Sequence, residues 1–173
     1  KWDNLSHLTV STVLGSLKRR IDALAKPADI YIINRDNVAW LVDYCLFELH
    51  AWKFDMVVLD ESSSFKNPRA QRFKSLKSVK SSIQRVVELS GTPAPQDMKD
   101  LWSQVFLLDG GARLGQSASA FNQRYCEIER RGNRMVYGRL KPGADTQIKH
   151  AIGDICVSMK AEDYLELPDI TYS

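Results

Sequence analysis

Apolar and polar residues alternate along the first two thirds of the chain in a pattern that predicts strands and helices in turn. Four short apolar runs each stop at a polar or glycine-containing loop, as strands do: 8–14, 30–33, 54–59 and 85–89. The run 30–33 is continuous, which predicts a strand buried on both faces, and 54–59 is predicted to be another buried strand. This alternation favours a parallel sheet wrapped by helices, with ligands at the carboxyl ends of its strands.

The segments between the strands have helical spacing and recognisable end signals. Four positions are suited to opening helices: Ser16, Asp36 or Asn37, Asn67-Pro68 and Asp97. The second helix, with apolar residues on both sides, is expected to be largely buried. The fourth should end at Gly110-Gly111, where glycine can take the left-handed conformation that closes a helix.

The last third of the chain departs from this rhythm. A helix should open at Ser117 or Ser119 and continue through Ile128, followed by a turn over 130–134 and a helix from Thr146 to about Ile155. The expected organisation is an α/β core over 1–112 and a helical and hairpin extension over 113–173.

Composition narrows the class of protein. The chain has 173 residues, of which 44% are hydrophobic and 26% charged, and this balance excludes disordered and collagen-like chains. No apolar run approaches the roughly 18 residues of a membrane span, so we expect no membrane partner. Three widely spaced cysteines argue against a disulfide framework, and the three histidines lack zinc-ligand spacing.

Positive charge is concentrated in one segment. The net charge is +3, yet residues 62–87 contain seven Lys or Arg and no acid. The rest of the chain is therefore net negative. Such a block can face phosphates, including those of nucleic acid, or it can form a solvated helix face.

Two strand ends carry candidate chemistry. The run ending at Leu59 is followed at once by Asp60-Glu61, and the run ending at Leu89 by Ser90-Gly91-Thr92-Pro93. A carboxylate leaving a buried strand can hold Mg²⁺ beside a nucleotide phosphate, while its neighbour orients the attacking water. Taken singly, either of these two motifs could also be an ordinary loop. In a parallel sheet the two loops should lie along one edge.

These motifs resemble the Swi/Snf-like branch of the superfamily-two helicase-related ATPases, which carries a DEAH-like acidic motif. The resemblance rests on three motifs in order: Leu59-Asp60-Glu61-Ser62 with Phe65-Lys66-Asn67, then Leu89-Ser90-Gly91-Thr92-Pro93, then Asp100-Leu101-Trp102. Residues 121–125 and Leu167-Pro168 also fit, so the resemblance covers nearly the whole chain. It implies the first RecA-like lobe of such a motor: an incomplete three-layer parallel sheet with helices on both faces.

The resemblance also implies roles for individual residues in a motor that uses ATP and Mg²⁺ on duplex DNA. Asp60 would contact Mg²⁺ through water, and Glu61 would polarise the hydrolytic water. Ser90, Gly91 and Thr92 would couple the nucleotide state to the rest of the motor. The positions expected to contact the nucleic-acid backbone are Asn34, Arg35, Lys66 and Arg69.

One motif of such ATPases does not occur in the sequence. No G-x-x-x-x-G-K-[ST] loop is present, so we expect a fragment of a larger motor that does not hydrolyse ATP alone. The phosphate-binding loop and the partner second RecA-like lobe would lie elsewhere in the same polypeptide. The compact pattern suggests a bacterial or phage protein acting in the cytoplasm, or in the nucleus if eukaryotic. A non-catalytic nucleic-acid-binding or scaffold module remains the alternative.

Overall fold

The computed structural model describes residues 3–91, 98–131 and 134–157. The chain divides into two compact units, Lys1–Lys53 and Phe54–Ser173, and each is described by itself. Within the described ranges, no helix is long and apolar enough to cross a membrane. Cys45, Cys126 and Cys156 are all free thiols.

The first unit is built on a parallel pair of strands. Strand β1 (Val10–Val13) pairs with β2 (Ile30–Ile33), and helix α1 (Leu17–Ala25) connects them. The Ser16 hydroxyl caps α1, as predicted, by accepting from the Arg19 amide at 3.4 Å. Helix α2 (Val38–Asp43) follows and continues as a π-helical turn, Tyr44–Glu48.

The second unit repeats the parallel pair. Strand β3 (Met56–Leu59) pairs with β4 (Arg85–Glu88), with helix α3 (Gln71–Val79) between them and α4 (Leu101–Asp109) after them. An aromatic cluster joins the two helices, since the Trp102 and Phe106 rings lie 5.8 and 6.1 Å from that of Phe73. Helix α4 ends at Gly110 in the left-handed conformation, φ 69°, as predicted.

A helical and hairpin extension completes the second unit. It consists of α5 (Ala118–Tyr125), the antiparallel strands β5 (Cys126–Arg131) and β6 (Arg134–Leu140), and α6 (Ala144–Ile152). The Ser117 hydroxyl caps α5, accepting from the Ala120 amide at 3.1 Å. The predicted opening of this helix is thus confirmed at Ser117.

Three expectations about burial and helix ends are wrong. Ile30 and Ile32 of β2 are 42% and 51% exposed, and Met56 and Val58 of β3 are 50% and 51% exposed. Burial alternates along β1, β2 and β3, and helices α1 and α4 pack against β1 and β4. A continuous apolar run therefore did not distinguish one buried face from two.

The other two corrections concern helices. The second helix is not largely buried, because Phe47 is 71% exposed. The predicted helix through Ile128 ends at Tyr125, and Ile128 lies in β5, where pairing with β6 supplies the backbone hydrogen bonds that a continued helix would have made. The predicted cap Asp97 lies outside the described residues.

Candidate functional site

Parallel pairing of β3 and β4 brings their polar loops to one end of the pair. Leu59 is in register with Glu88. The pairing extends past the strands, since the Leu89 amide donates to the Leu59 carbonyl and the Ser62 amide to the Leu89 carbonyl, both at 2.9 Å. The acidic loop and the Ser-Gly loop thus leave the strands side by side, as their positions in the sequence predicted.

The acidic pair occupies a tight turn. Glu61 lies in the left-handed region, with φ 53° and ψ 54°, which a non-glycine residue seldom adopts. The Asp60 Oδ1 atom accepts from the Glu61 amide at 3.1 Å. Both residues are exposed, so this turn presents two adjacent carboxylates to solvent at the end of a partly buried strand.

Gly91 places the Ser-Gly loop directly beside the acidic turn. A Cβ atom at Gly91 would lie 3.8 Å from Oε1 of Glu61. A side chain at position 91 would therefore be in van der Waals contact with the Glu61 carboxylate. Ser90 follows Leu89 at the same edge, whereas Thr92 and Pro93 lie outside the described residues. The coupling role of Ser90, Gly91 and Thr92 stays a prediction.

The residue after the acidic pair is anchored to α4. Ser62 is 2% exposed, and its hydroxyl donates to Oε1 of Gln104 at 3.1 Å. A second bond runs from the Ser103 hydroxyl to the Lys66 carbonyl at 2.7 Å. The 3₁₀ turn Ser62–Phe65 is thereby held at both ends by one helix.

Sequence reasoning missed Glu88, the last residue of β4. Burial raises the pKa of its carboxyl to about 8, an effect that the neighbouring Ser62 hydroxyl opposes. Its Oε1 atom is buried and has no hydrogen-bond partner among the described residues. The sequence offered one sign of this residue: a glutamate near the end of an apolar run, just before the Ser-Gly-Thr-Pro loop.

The basic segment is not uniformly available to a ligand. Lys66 Nζ pairs with Oδ2 of Asp100 at 3.1 Å, and Lys77 Nζ lies 4.5 Å from the centre of the Phe106 ring. Arg69 and Lys74 are exposed. Lys66 thus joins the turn after the acidic pair to the start of α4, Lys77 joins α3 to α4, and Arg69 and Lys74 face solvent.

Asn34 and Arg35 belong to the first unit. They follow β2 directly, and Arg35 begins the 3₁₀ turn Arg35–Asn37. Both are exposed. Their contact with nucleic acid stays a prediction.

The carboxylate at the end of β3 is suited to a magnesium ion that is bound together with a nucleotide. The described residues contain no cluster of three or more His, Cys, Asp or Glu side chains. Mg²⁺ beside a nucleotide is usually held by one or two carboxylates together with waters and phosphate oxygens. The exposed carboxylate of Asp60 meets that requirement, and the ion would neutralise charge on the phosphates.

The fold matches a solved structure of known class. The structure is the Sulfolobus solfataricus SWI2/SNF2 ATPase core in complex with dsDNA, which aligns with 90% of this chain and 29% of that chain, at a TM-score of 0.65 and 22% identity. This confirms an incomplete RecA-like α/β fold.

The sequence profile of the SNF2-related domain matches residues 1–147, and the chain therefore belongs to this family. Protein p41 of Acyrthosiphon pisum secondary endosymbiont phage 1 is 34% identical over 98% of the chain. The Drosophila melanogaster SWI/SNF-related matrix-associated actin-dependent regulator of chromatin subfamily A-like protein 1 is 29% identical over 79% of it. The chain spans 38% and 19% of these relatives' lengths.

Proposed function

We propose that this chain is part of an ATP-driven motor that moves on duplex DNA. The observation that carries the proposal is the position of Gly91 beside the Glu61 carboxylate at the end of β3 and β4. It joins a water-orienting carboxylate to a loop that can respond to the nucleotide, within a chain of the SNF2-related family. A solved neighbour of the same fold is a SWI2/SNF2 ATPase core in complex with dsDNA.

Each residue of this site has a chemical task in the proposed reaction. Asp60 would hold the Mg²⁺ of MgATP through water, and Glu61 would orient and polarise the attacking water. Ser90, Gly91 and Thr92 would transmit loss of the γ-phosphate to the surrounding structure. The second RecA-like lobe is a proposed partner that closes on the nucleotide, as lobe closure commonly completes such sites.

The test is ATP turnover by the full-length protein with and without duplex DNA. Glu61→Gln and Asp60→Ala should each lower kcat by about a hundredfold or more, the usual contribution of a positioned acid-base group. DNA affinity should be unchanged. The matched control is Asp22→Ala, an exposed acid on α1, which should turn over ATP like the wild type.

Two results would contradict the motor proposal. Undiminished turnover in Glu61→Gln would show that this carboxylate is not the one that acts on water. DNA binding by a wild-type protein that never hydrolyses ATP would favour the non-catalytic module instead.

DNA contact by the basic segment has its own test. Phosphate contacts release counterions, so log affinity should fall linearly with log salt, and Arg69→Ala or Lys74→Ala should each reduce the slope by about one. Asn34→Ala and Arg35→Ala should weaken binding to all sequences alike, because backbone contacts carry no sequence information. Lys149→Ala on α6 is the control and should leave the slope unchanged. A slope of zero in the wild type would show that the basic segment does not contact phosphates and is a solvated surface.

A further inference from the structure

A second basic segment lies in the hairpin formed by β5 and β6. Residues 130–141 contain five Lys or Arg and no acidic residue. The two acidic residues of the hairpin, Glu127 and Glu129, both precede this segment on β5. Negative charge is therefore confined to the part of β5 near α5, and positive charge occupies the far end of the hairpin and the returning strand.

The base of the hairpin is fixed to α5. Tyr125 and Cys126, where α5 passes into β5, are 1% and 0% exposed. The Lys141 amide donates to the Tyr125 carbonyl at 2.8 Å. The Lys141 ammonium donates to two carbonyls in the last turn of α5, those of Gln123 and Arg124, at 2.7 and 2.9 Å. From this base the six residues of β5 extend about 20 Å, at the usual rise of a strand.

Both carboxylates of the hairpin are used within it. Oε2 of Glu127 pairs with Nε of Arg139 at 2.8 Å. Oε1 of Glu129 accepts from the Arg139 amide at 3.4 Å. The Glu129 carboxylate lies over Gly138, where any Cβ atom would overlap it, and a glycine inside a strand is typical of such a close approach. The negative charge is thus held against β6.

One face of the hairpin presents an exposed apolar pair beside a cation. Ile128 lies opposite Tyr137 in the antiparallel register, and these residues are 58% and 38% exposed. Arg130 follows Ile128 by two positions on the strand, so it belongs to the same face, and it is exposed. Two strands that lack a packed face are only marginally stable in water. A partner that covers this face would therefore stabilise the hairpin.

The register brings further positive charge to the far end. Arg131 is opposite Arg134 in the pairing of β5 with β6. Like charges at directly opposite positions disfavour strand pairing. The stability of the hairpin alone therefore does not account for this choice of residues, whereas binding of a polyanion at this end would offset the repulsion.

Charge and shape together favour duplex DNA as the partner. Arginine binds phosphate oxygens through paired N–H donors. A two-stranded β-ribbon fits the major groove of B-DNA, which is about 12 Å wide and exposes thymine methyl groups to apolar side chains. Duplex DNA thus supplies phosphates for the arginines and apolar contacts for the exposed pair.

We propose that the hairpin of β5 and β6 is a second DNA-binding element, separate from the basic segment 62–87. It enters a groove of duplex DNA with the face that carries Ile128 and Tyr137. Arg130 binds a flanking phosphate, and the arginines at positions 131 and 134 add positive charge there. This role rests on the proposed function for its partner, duplex DNA, but it does not require ATP hydrolysis.

The test compares two charge reversals in the full-length protein by measuring duplex DNA affinity over a range of salt. Arg130→Glu and Lys149→Glu change the net charge equally at exposed positions, but only Arg130 lies in the hairpin. Arg130→Glu should lower the affinity by about tenfold or more and reduce the slope of log affinity against log salt by about one. Lys149→Glu should leave the slope unchanged, and Arg130→Lys, which keeps the charge, should retain it.

Amide hydrogen exchange shows whether the hairpin is formed and whether DNA covers it. Without DNA, residues 126–131 and 134–140 should exchange alike in the wild type and the three variants. Saturating duplex should slow their exchange in the wild type, Arg130→Lys and Lys149→Glu, and much less in Arg130→Glu. If Arg130→Glu disrupts the strands, the protection of the wild-type hairpin by DNA still decides the question.

The outcomes separate this role from the proposed function. A wild-type hairpin that saturating DNA leaves unprotected, or an intact Arg130→Glu with the wild-type salt slope, would overturn the role of the hairpin, while DNA-stimulated ATP turnover would keep the motor proposal standing. Conversely, a protein whose hairpin is protected by DNA but which never hydrolyses ATP would contradict the motor proposal and leave the hairpin as a DNA-binding element.

Discussion

The two parallel strand pairs are alike in topology and differ in where they are fastened. Side-chain hydrogen bonds join the amino ends of β1 and β2, where the amide and hydroxyl of Thr9 donate to Oδ2 of Asp29 at 2.8 and 2.7 Å. The pair β3 and β4 is tied at its amino end through the Asp55 carbonyl, and at its carboxyl end through Leu59, Ser62 and Leu89.

The bonds at the carboxyl end of β3 and β4 suit the role that we propose for the acidic turn. Fixing a strand start sets the register, whereas fixing a strand end sets the position of the loop that leaves it. A site that must orient one water molecule needs its carboxylate held to a fraction of an ångström. In the part of the chain that the structure describes, β3 and β4 are joined beyond their carboxyl ends by the bonds of the Leu89 and Ser62 amides.

The largest expected effect is on the free energy of unfolding, and it compares the apolar residues that pack against each strand pair. Phe73→Ala removes the ring that packs on Trp102 and Phe106 behind β3 and β4. It should lower the free energy of unfolding by about 3–5 kcal/mol, because a large buried aromatic leaves a cavity. Urea unfolding measures the loss. A loss below that of Leu24→Ala on α1, an aliphatic residue that is 4% exposed, would contradict the stronger support of the second pair.

A second prediction concerns pH and Glu88. The folded state keeps the proton of this carboxyl up to a pKa of about 8, whereas the unfolded chain releases it near 4.5. Unfolding in this window releases a proton, so the contribution of Glu88 to stability falls as pH rises from 4.5 to 8. The loss should total on the order of a few kcal/mol, at about 1.4 kcal/mol per unit.

Glu88→Gln isolates this contribution, because it keeps the shape and removes the titration. The free energy of unfolding of the wild type, less that of the variant, should decline between pH 5 and 8.5. A constant difference across that range would show that the carboxyl is ionised in the folded protein.

A third prediction compares the buried serine of each pair. Ser62→Ala leaves the partly buried Oε1 atom of Gln104 without its donor, which should cost about 1–3 kcal/mol. Ser11→Ala on β1 removes one bond to the Ala23 carbonyl, 2.8 Å long, and should cost about 1 kcal/mol. Denaturant midpoints at equal slope measure both. Equal losses would mean that the network at Ser62 adds nothing beyond one bond.

The smallest effect should come from Asp29→Asn at the amino end of β1 and β2. Hydrogen bonds from Thr9 hold the pKa of the Asp29 carboxyl below its ordinary 3.8. Its stabilisation is therefore present at neutral pH and is lost as pH falls through the lowered pKa. The variant should melt slightly below the wild type at pH 7, and this difference should shrink as the pH falls below 3.8. A gap that persists in acid would mean that the carboxylate charge is not the cause.

The sequence predicted element types better than it predicted burial. Capping by Ser16 and Ser117 follows from bonds within one turn, and both were confirmed. The exposed faces of Ile32 and Val58 depend on which helices pack where, which the apolar runs do not encode. Likewise, the end of α5 at Tyr125 is set by the pairing of the next strand with β6, which begins only at Arg134.

The same division applies to the candidate site. The meeting of Asp60-Glu61 with Ser90-Gly91 could be predicted, because parallel strands deliver their loops to one edge. The hydrogen bond between Ser62 and Gln104 could not be, because it joins side chains 42 positions apart. The spacing of residues along the chain does not predict the direction of a serine hydroxyl.

The left-handed turn at Glu61 also bears on attempts to make the protein more robust. This conformation costs a residue with a Cβ about 1–2 kcal/mol, which glycine avoids. Glu61→Gly should therefore be selected early in any screen that rewards thermal tolerance alone, although it deletes the carboxylate. Directed evolution of this chain should score heat resistance and ATP turnover together, because under the proposed mechanism the most stable residue at this position would abolish activity.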